Sequence, residues 1–247
     1  MSMALTYTLA SARSTFRNTR FILFTLALPL MMYLIFNGLF RGQTDVASGL
    51  SVSAYIMVSM AAYGSLGAAI NAGARVAIER QTGWNRQLRL TALSSRGYIF
   101  SKTAESMLVA LPAILLVFVA GAVVGHVRMP ITTWLGTGLG IWLALIPFGV
   151  AGLVIGFLAS ADSVQSLTVL VLISMAILGG LWFPVDQFSA FLQGVAKVLP
   201  SYWVGETGRS ILGGRAVPLN GLLIMLAWAL GLGLFGAWAY RRSGRKT

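Results

Sequence analysis

The sequence predicts an all-α, polytopic membrane protein with six transmembrane helices, and three observations carry that prediction. Only 10% of the 247 residues are charged and 57% are hydrophobic, with mean hydropathy +0.81. A soluble domain carries about 25% charged residues. Apolar runs of spanning length, nearly free of charge, recur along the chain, and each is long enough for a helix to cross a bilayer. Runs such as LVALPAILLVFVAGAVV also lack the period-two alternation of a barrel strand. Backbone in lipid must bond to itself, which leaves helices.

The elements follow in order. Residues 4–20 place Leu5, Leu9, Ala12 and Phe16 on one helical stripe and Arg13, Arg17 and Arg20 on another. That pattern suits an amphipathic helix lying on anionic lipid; an ordinary basic flank is the alternative. Residues 21–40 form span one, with Pro29 and Gly38 inside it. This run is of full spanning length and ends without an A-x-A-like site, so no cleavable signal peptide is expected. Residues 52–74 form span two, with Gly64, Gly67 and Ala68 permitting close helix contact. Residues 75–102 form a basic elbow. Span three covers 103–125, its start marked by Lys102 and Glu105 and its interior interrupted by Pro112. Span four covers 133–158, with a kink expected at Pro147. Span five covers 165–183 after a tight turn carrying Asp162, and span six covers 219–240.

Between spans five and six, residues 184–218 form a second extramembrane stretch. Phe188, Phe191, Leu192, Val195, Val198 and Leu199 recur at helical spacing until Pro200. Tyr202 and Trp203 then read as interfacial aromatics, and 204–212 as a second short helix. A pair of re-entrant helices is expected here, with a plain surface loop as the alternative.

Charge fixes the expected orientation. With the N-terminus inside, cytoplasmic segments hold 13 of the 18 Lys and Arg residues and external segments hold 5. The positive-inside rule therefore puts both termini and the elbow in the cytoplasm. The net charge of +12 is explained as topology signal and lipid attraction, so no nucleic-acid partner is implied.

Several chemistries are argued against. The chain has no cysteine, which excludes thiol catalysis and Cys-ligated metals. His126 lacks a nearby acid to share a metal ion. The six acids, Asp45, Glu79, Glu105, Asp162, Asp186 and Glu206, all fall near expected membrane faces, so neither an intramembrane protease nor an ion-driven pump is favoured. Gly231, Gly233 and Gly236 match G-x-G-x-x-G but sit inside an apolar span, where helix packing explains them better than a dinucleotide. There is no P-loop motif. The pairs Gly121/Gly125, Gly136/Gly140 and Gly152/Gly156 fit close helix packing or subunit association.

The elbow supplies the positive argument. Residues 74–81 can continue span two as a helix, Thr82 and Gly83 break it, and Trp84, Leu88 and Ala92 mark a second amphipathic segment. A short helix bearing Trp84, Arg86 and Arg89 suits docking in the groove of a soluble partner.

Two stretches carry a resemblance. Glu79-Arg80-Gln81-Thr82-Gly83, then Leu90 to Ser95 and Lys102, resembles the E-x-x-x-G…L-x-x-x-P-[VL]-S…K elbow of type-2 ABC exporter permeases, with Ala92-Leu93-Ser94 standing where Pro is usual. Gly179-Gly180-Leu181-Trp182-Phe183-Pro184, with Leu199-Pro200 and Arg209 downstream, is similar to that family's G-x-x-[FW]-P…P…R stretch. The resemblance covers essentially the whole chain.

It implies a membrane subunit of a bacterial ATP-driven exporter. A second permease subunit, identical or related, would complete the pathway. A separate P-loop ATPase subunit would hold ATP and Mg, leaving this chain non-catalytic and without a bound cofactor. Glu79, Arg80, Gly83, Trp84, Arg86, Leu88 and Arg89 would couple to that ATPase. Phe183, Pro184, Phe188, Pro200, Trp203 and Arg209 would belong to an external gate. The expected cargo is a drug, an antibiotic or a lipid-like compound, and the expected location is the plasma membrane, among lipids. A non-transporting sensor or assembly partner whose elbow docks a signalling protein is the alternative.

The orientation is directly testable: a topology reporter inserted at Gly83 should read cytoplasmic, and an external reading would overturn the six-span arrangement.

Overall fold

The computed structural model describes residues 3–40, 51–83 and 95–243, and the regular structure in them is helical throughout. The helices are α1 (Met3–Phe16), α2 (Thr19–Leu39), α3 (Val52–Ala74), α4 (Val76–Gln81), α5 (Ser95–Val123), α6 (Ile131–Ala144), α7 (Ile146–Leu158), α8 (Val164–Leu178), α9 (Ala190–Val198), α10 (Pro200–Leu212) and α11 (Leu219–Ser243). A single 3₁₀ turn, Val185–Gln187, precedes α9.

Among the described residues, four helical stretches are long and apolar enough to cross a membrane: Val52–Gln81, Gly97–Val123, Ile131–Leu158 and Leu219–Trp238. Thr25–Leu39 and Val164–Leu178 are shorter apolar helices. Proline positions explain two local features. Pro147 occupies the second position of α7 and breaks 131–158 into α6 and α7 at Leu145, because its ring cannot continue the preceding hydrogen-bond ladder. Pro29 lies inside α2 against Gly64 of α3, where a Cβ would come within 2.8 Å of the proline ring.

The architecture is arranged around α3. It packs against α2, α5, α7, α8 and α10, and 89% of its most apolar window is buried, against 17% for α11. The helix richest in Ala, Ser and Gly is thus the central one. Small side chains let neighbours approach from all sides; the Leu-rich α11 leaves Leu222, Leu226, Leu230 and Leu234 exposed.

The tightest approach is between α3 and α7. A Cβ on Gly73 would lie 2.7 Å from the Leu153 amide nitrogen, one on Gly152 would run into the Ile70 carbonyl, and one on Gly156 would lie 2.9 Å from the Val76 Cβ. Backbone meets backbone here, with no flexible side chain to yield. The other two spaced pairs also pack within the chain: Gly121 and Gly125 receive Met57 and Tyr33, and Gly136 and Gly140 receive Ile211 of α10. In the G-x-G-x-x-G stretch, only Gly236 meets a neighbour, Val154, while Gly231 and Gly233 have nothing within 4 Å.

Three sequence expectations are refined or corrected by the structure. The helix that carries the expected span 103–125 begins earlier, at Ser95, with Tyr98 and Lys102 seated in a buried polar cluster described below. Pro200 does not separate two helices by a gap; it opens α10 at its first position, where its missing N–H is no loss. Trp203 is consequently buried, at 4% exposure, rather than an interfacial aromatic. Finally, α1 does present Leu5, Leu9 and Phe16 outward, but the face it turns to the protein carries hydroxyls.

Replacing Gly152 by Ala should destabilise the protein by about 1–3 kcal/mol, the usual range for an overpacked core. The same change at Gly231, which meets nothing, should be neutral or slightly stabilising through helix propensity. Thermal unfolding of both variants in detergent checks the contrast.

Candidate functional site

Two polar clusters, one at each end of α3, carry the functional geometry. At the elbow end α3 gives way to α4 across Arg75, whose amide still bonds to the Asn71 carbonyl at 3.2 Å. After Gln81 the helix stops. Thr82 Oγ1 donates to the Glu79 carbonyl and the Gly83 amide to that of Arg80. Gly83 then takes φ +76°, a conformation that costs glycine little and other residues much.

Lys102 stands at the centre of the elbow-end cluster, 1% exposed. Its ammonium donates to Glu79 Oε1 at 2.5 Å, Glu105 Oε2 at 2.9 Å and Ser11 Oγ at 3.1 Å. Three donors thus meet three acceptors, on α4, α5 and α1. Ser11 Oγ in turn donates to Glu105 Oε2 at 2.6 Å, and Thr15 Oγ1 to Glu105 Oε1 at 3.0 Å. Arg75 Nη1 donates to Thr15 Oγ1 at 2.8 Å, and the Tyr98 hydroxyl reaches Glu79 Oε2 at 3.3 Å. Tyr7 closes one side, its ring 5.4 Å from the Lys102 nitrogen. Removing one partner of such a buried pair typically costs about 3–5 kcal/mol, because the other charge is left behind.

Arg80 is also turned inward. Its Nη1 donates to the carbonyls of Gly156, at 3.1 Å, and Phe157. These belong to the last turn of α7, where carbonyls lack helical partners and a cation is favoured. Glu79 and Arg80 therefore tie the elbow helix to α5 and α7. Gly83 is the break. Trp84, Arg86, Leu88 and Arg89 lie outside the described residues.

The far-end cluster is built on Arg209, 4% exposed. Its Nε donates to Glu206 Oε2 at 3.2 Å, its Nη1 to Ser59 Oγ at 3.3 Å, and its guanidinium lies 5.0 Å from the Tyr55 ring centre. Arg209 thereby binds α10 to α3. Trp203 Nε1 donates to the Lys197 carbonyl at 2.7 Å, pinning α10 to the end of α9, and its ring covers Gly221 of α11. Burial, with Glu206 close by, pushes the Tyr202 phenol up from its ordinary value. Of the other expected gate residues, Pro184 precedes the 3₁₀ turn, Phe188 follows it and Phe183 is half exposed.

Two cavities lie along the α2–α3 face, and α8 lines the near one. The far one, about 610 Å³, is lined by Phe36, Tyr55, Ile56, Met60, Trp182 and Arg209 among others. The near one, about 470 Å³, is lined by Asn18, Thr25, Tyr63, Asn71, Gln165 and Leu172. Tyr63 of the near wall and Trp182 of the far wall meet edge to face, with ring centroids 5.3 Å apart. The Trp182 indole N–H is buried and has no hydrogen-bond partner among the described residues. Among the described residues no group of three or more His, Cys, Asp or Glu could hold a metal ion.

Sequence reasoning picked out Glu79, Arg80, Gly83, Trp203 and Arg209. It placed Lys102 in the elbow motif and used Glu105 only as a marker of a membrane boundary, although their i,i+3 spacing is a pairing signal. Ser11 and Thr15 gave no signal, since hydroxyls on a basic amphipathic helix look like ordinary surface.

The chain matches the ABC-2 type transporter family over residues 5–212, and it belongs to that family. It is also 25% identical over 223 residues, 90% of each chain, to the Bacillus subtilis (strain 168) protein named "Putative transport permease YvfS". It is thus a multi-pass membrane protein of the permease class.

Replacing Arg209 with Met should strip Glu206 and Ser59 of their shared donor and lower stability by about 2 kcal/mol, the range for hydrogen bonds to charged groups. Adding Glu206→Gln should recover part of that loss. Denaturation of the single and double variants in detergent tests the coupling.

Proposed function

We propose that the chain is the permease subunit of an ATP-driven exporter, working with a second permease subunit and with separate P-loop ATPase subunits that hold ATP and Mg. The observation that carries this reading is that the elbow hangs from the most buried helix of the bundle. Val52–Gln81 runs from the far cavity through the core to the elbow with only the Arg75 junction interrupting it. A push at Gly83 is therefore applied to the helix that touches most of the others. Family membership supports the same reading.

In this account the six apolar stretches, including the shorter α2 and α8, each cross the bacterial plasma membrane, and both termini are cytoplasmic. The ATPase docks on 83–94, with Trp84, Arg86, Leu88 and Arg89 as the contact residues. Glu79 and Arg80 transmit the load inward. Residues 184–212 are the outer gate.

Cargo passes along the α2–α3 face from the near cavity to the far one, by parting Tyr63 from Trp182. The near cavity offers neutral amides and hydroxyls. The far cavity combines aromatic walls with Arg209, Glu206 and Lys197. That combination, with the open Trp182 N–H, suits an amphipathic drug, antibiotic or lipid-like compound, outward bound.

The test is substrate-stimulated ATP hydrolysis by the complex reconstituted in vesicles, measured across a compound panel. Tagged protein should bring down a P-loop ATPase, and at least one amphipathic compound should raise hydrolysis several-fold. Replacing Trp84 with Ala should abolish ATP-dependent efflux. Recovery of no ATPase, together with efflux unaffected by changes at Glu79 or Trp84, would overturn the reading.

A further inference from the structure

Among the described residues, the elbow-end cluster contains more than an elbow needs. Holding α4 to α5 takes only Glu79 and Lys102. The structure adds a second carboxylate, Glu105, 3% exposed, and spends both of its oxygens on hydroxyls of α1. The face that α1 turns inward carries Thr8, Ser11 and Thr15 together with Ala12, while Leu5, Leu9 and Phe16 point out. Thr8 Oγ1 reaches the Ser101 carbonyl at 3.4 Å, which completes a row of hydroxyl contacts down one side of α5.

That seat is unusual for an amphipathic helix. Apolar packing tolerates sliding, because its contacts are non-directional. Hydrogen bonds to an ion cluster fix register, since donor and acceptor must meet within a few tenths of an ångström and at suitable angles. The cluster is balanced, with Lys102 and Arg75 against Glu79 and Glu105, so no member can leave without stranding a charge. Its members come from α1, the α3–α4 junction, α4 and α5. Ser11 and Thr15 are the α1 partners of Lys102 and Arg75.

We propose that Lys102 is a positioning residue that makes α1 part of the coupling element: through Ser11, Glu105 and Thr15 it binds α1 to the elbow helix α4, so that the two move as one body during the ATP cycle. The inference rests on the exporter reading. It adds that the elbow does not act on the spans alone; it carries with it a helix whose outer face is apolar. Lys102 and Glu105 touch neither ATPase nor cargo in this scheme, and they act only through α1 and α4.

The chain has no native cysteine, so two introduced ones report without background. Leu9→Cys on α1 and Ile78→Cys on α4 replace side chains that are each 48% exposed. Spin labels at this pair, in the complex with its ATPase in lipid nanodiscs, give the α1–α4 distance by pulsed electron resonance. One narrow distance is expected, the same without nucleotide and with trapped ATP. In Lys102→Met it should broaden, with transport per ATP hydrolysed falling about tenfold, the scale of a broken coupling contact. Lys102→Arg should restore the narrow distance.

Should Lys102→Met fold poorly, Ser11→Ala with Thr15→Val cuts only the α1 side and leaves Glu79, Lys102 and Glu105 together. It should broaden the distance and lower transport per ATP while hydrolysis continues. A distance in Ser11→Ala/Thr15→Val as narrow as wild type, or hydrolysis and transport falling in proportion, would overturn the proposal. If the wild-type chain recruits no ATPase, the exporter reading and this coupling role fall together. An unchanged distance with wild-type transport intact overturns the coupling role alone.

Discussion

The close approach of α3 and α7 is the constraint on which the rest of the bundle depends. Gly73, Gly152 and Gly156 let two backbones touch, and α4 inherits its direction from that contact. Only because α7 ends beside α4 can Arg80 reach the Gly156 and Phe157 carbonyls. Only because α3 is slim can α2, α5 and α8 also crowd it and leave cavities between them. In lipid there is little hydrophobic force between helices, so shape and hydrogen bonding set the arrangement. Both are concentrated on this one helix.

The two ends of α3 solve the same physical problem differently. At the elbow end a lysine is shared by two carboxylates and a serine, on three helices. At the far end an arginine is shared by one carboxylate, a serine and an aromatic face, on two. Lysine presents a compact charge that several acceptors can surround, whereas arginine offers a planar fork, here 5.0 Å from the Tyr55 ring centre. The first arrangement gathers helices around a point. The second pins one helix against another along a plane, which fits a wall bordering a cavity.

Much of the fold was legible because hydropathy and small residues speak directly about lipid and packing. The break at Thr82-Gly83, the kink at Pro147 and the helical character of 188–212 could all be read from local chemistry. Burial could not. The least greasy long helix, α3, proved the most enclosed, because a helix surrounded by protein needs small side chains and one facing lipid needs large ones. Glu79 and Lys102 fell in one motif, but the α1 side of their cluster was not legible, since Ser11 lies 94 residues before Glu105 and no local pattern joins them. Trp203 was misplaced because a Tyr-Trp pair after a proline looks interfacial, whereas Pro200 starts a helix that turns the indole inward.

That separation in sequence makes the cluster a long-range closure of the chain. The hydroxyls of α1 are made first and their acceptor, Glu105, follows 94 residues after Ser11. Without α5, the hydroxyl face of α1 has no seat. Lys102 and Glu105 lie one turn apart on the same helix, so their pairing is local, whereas the α1 contacts that enclose them are long-range.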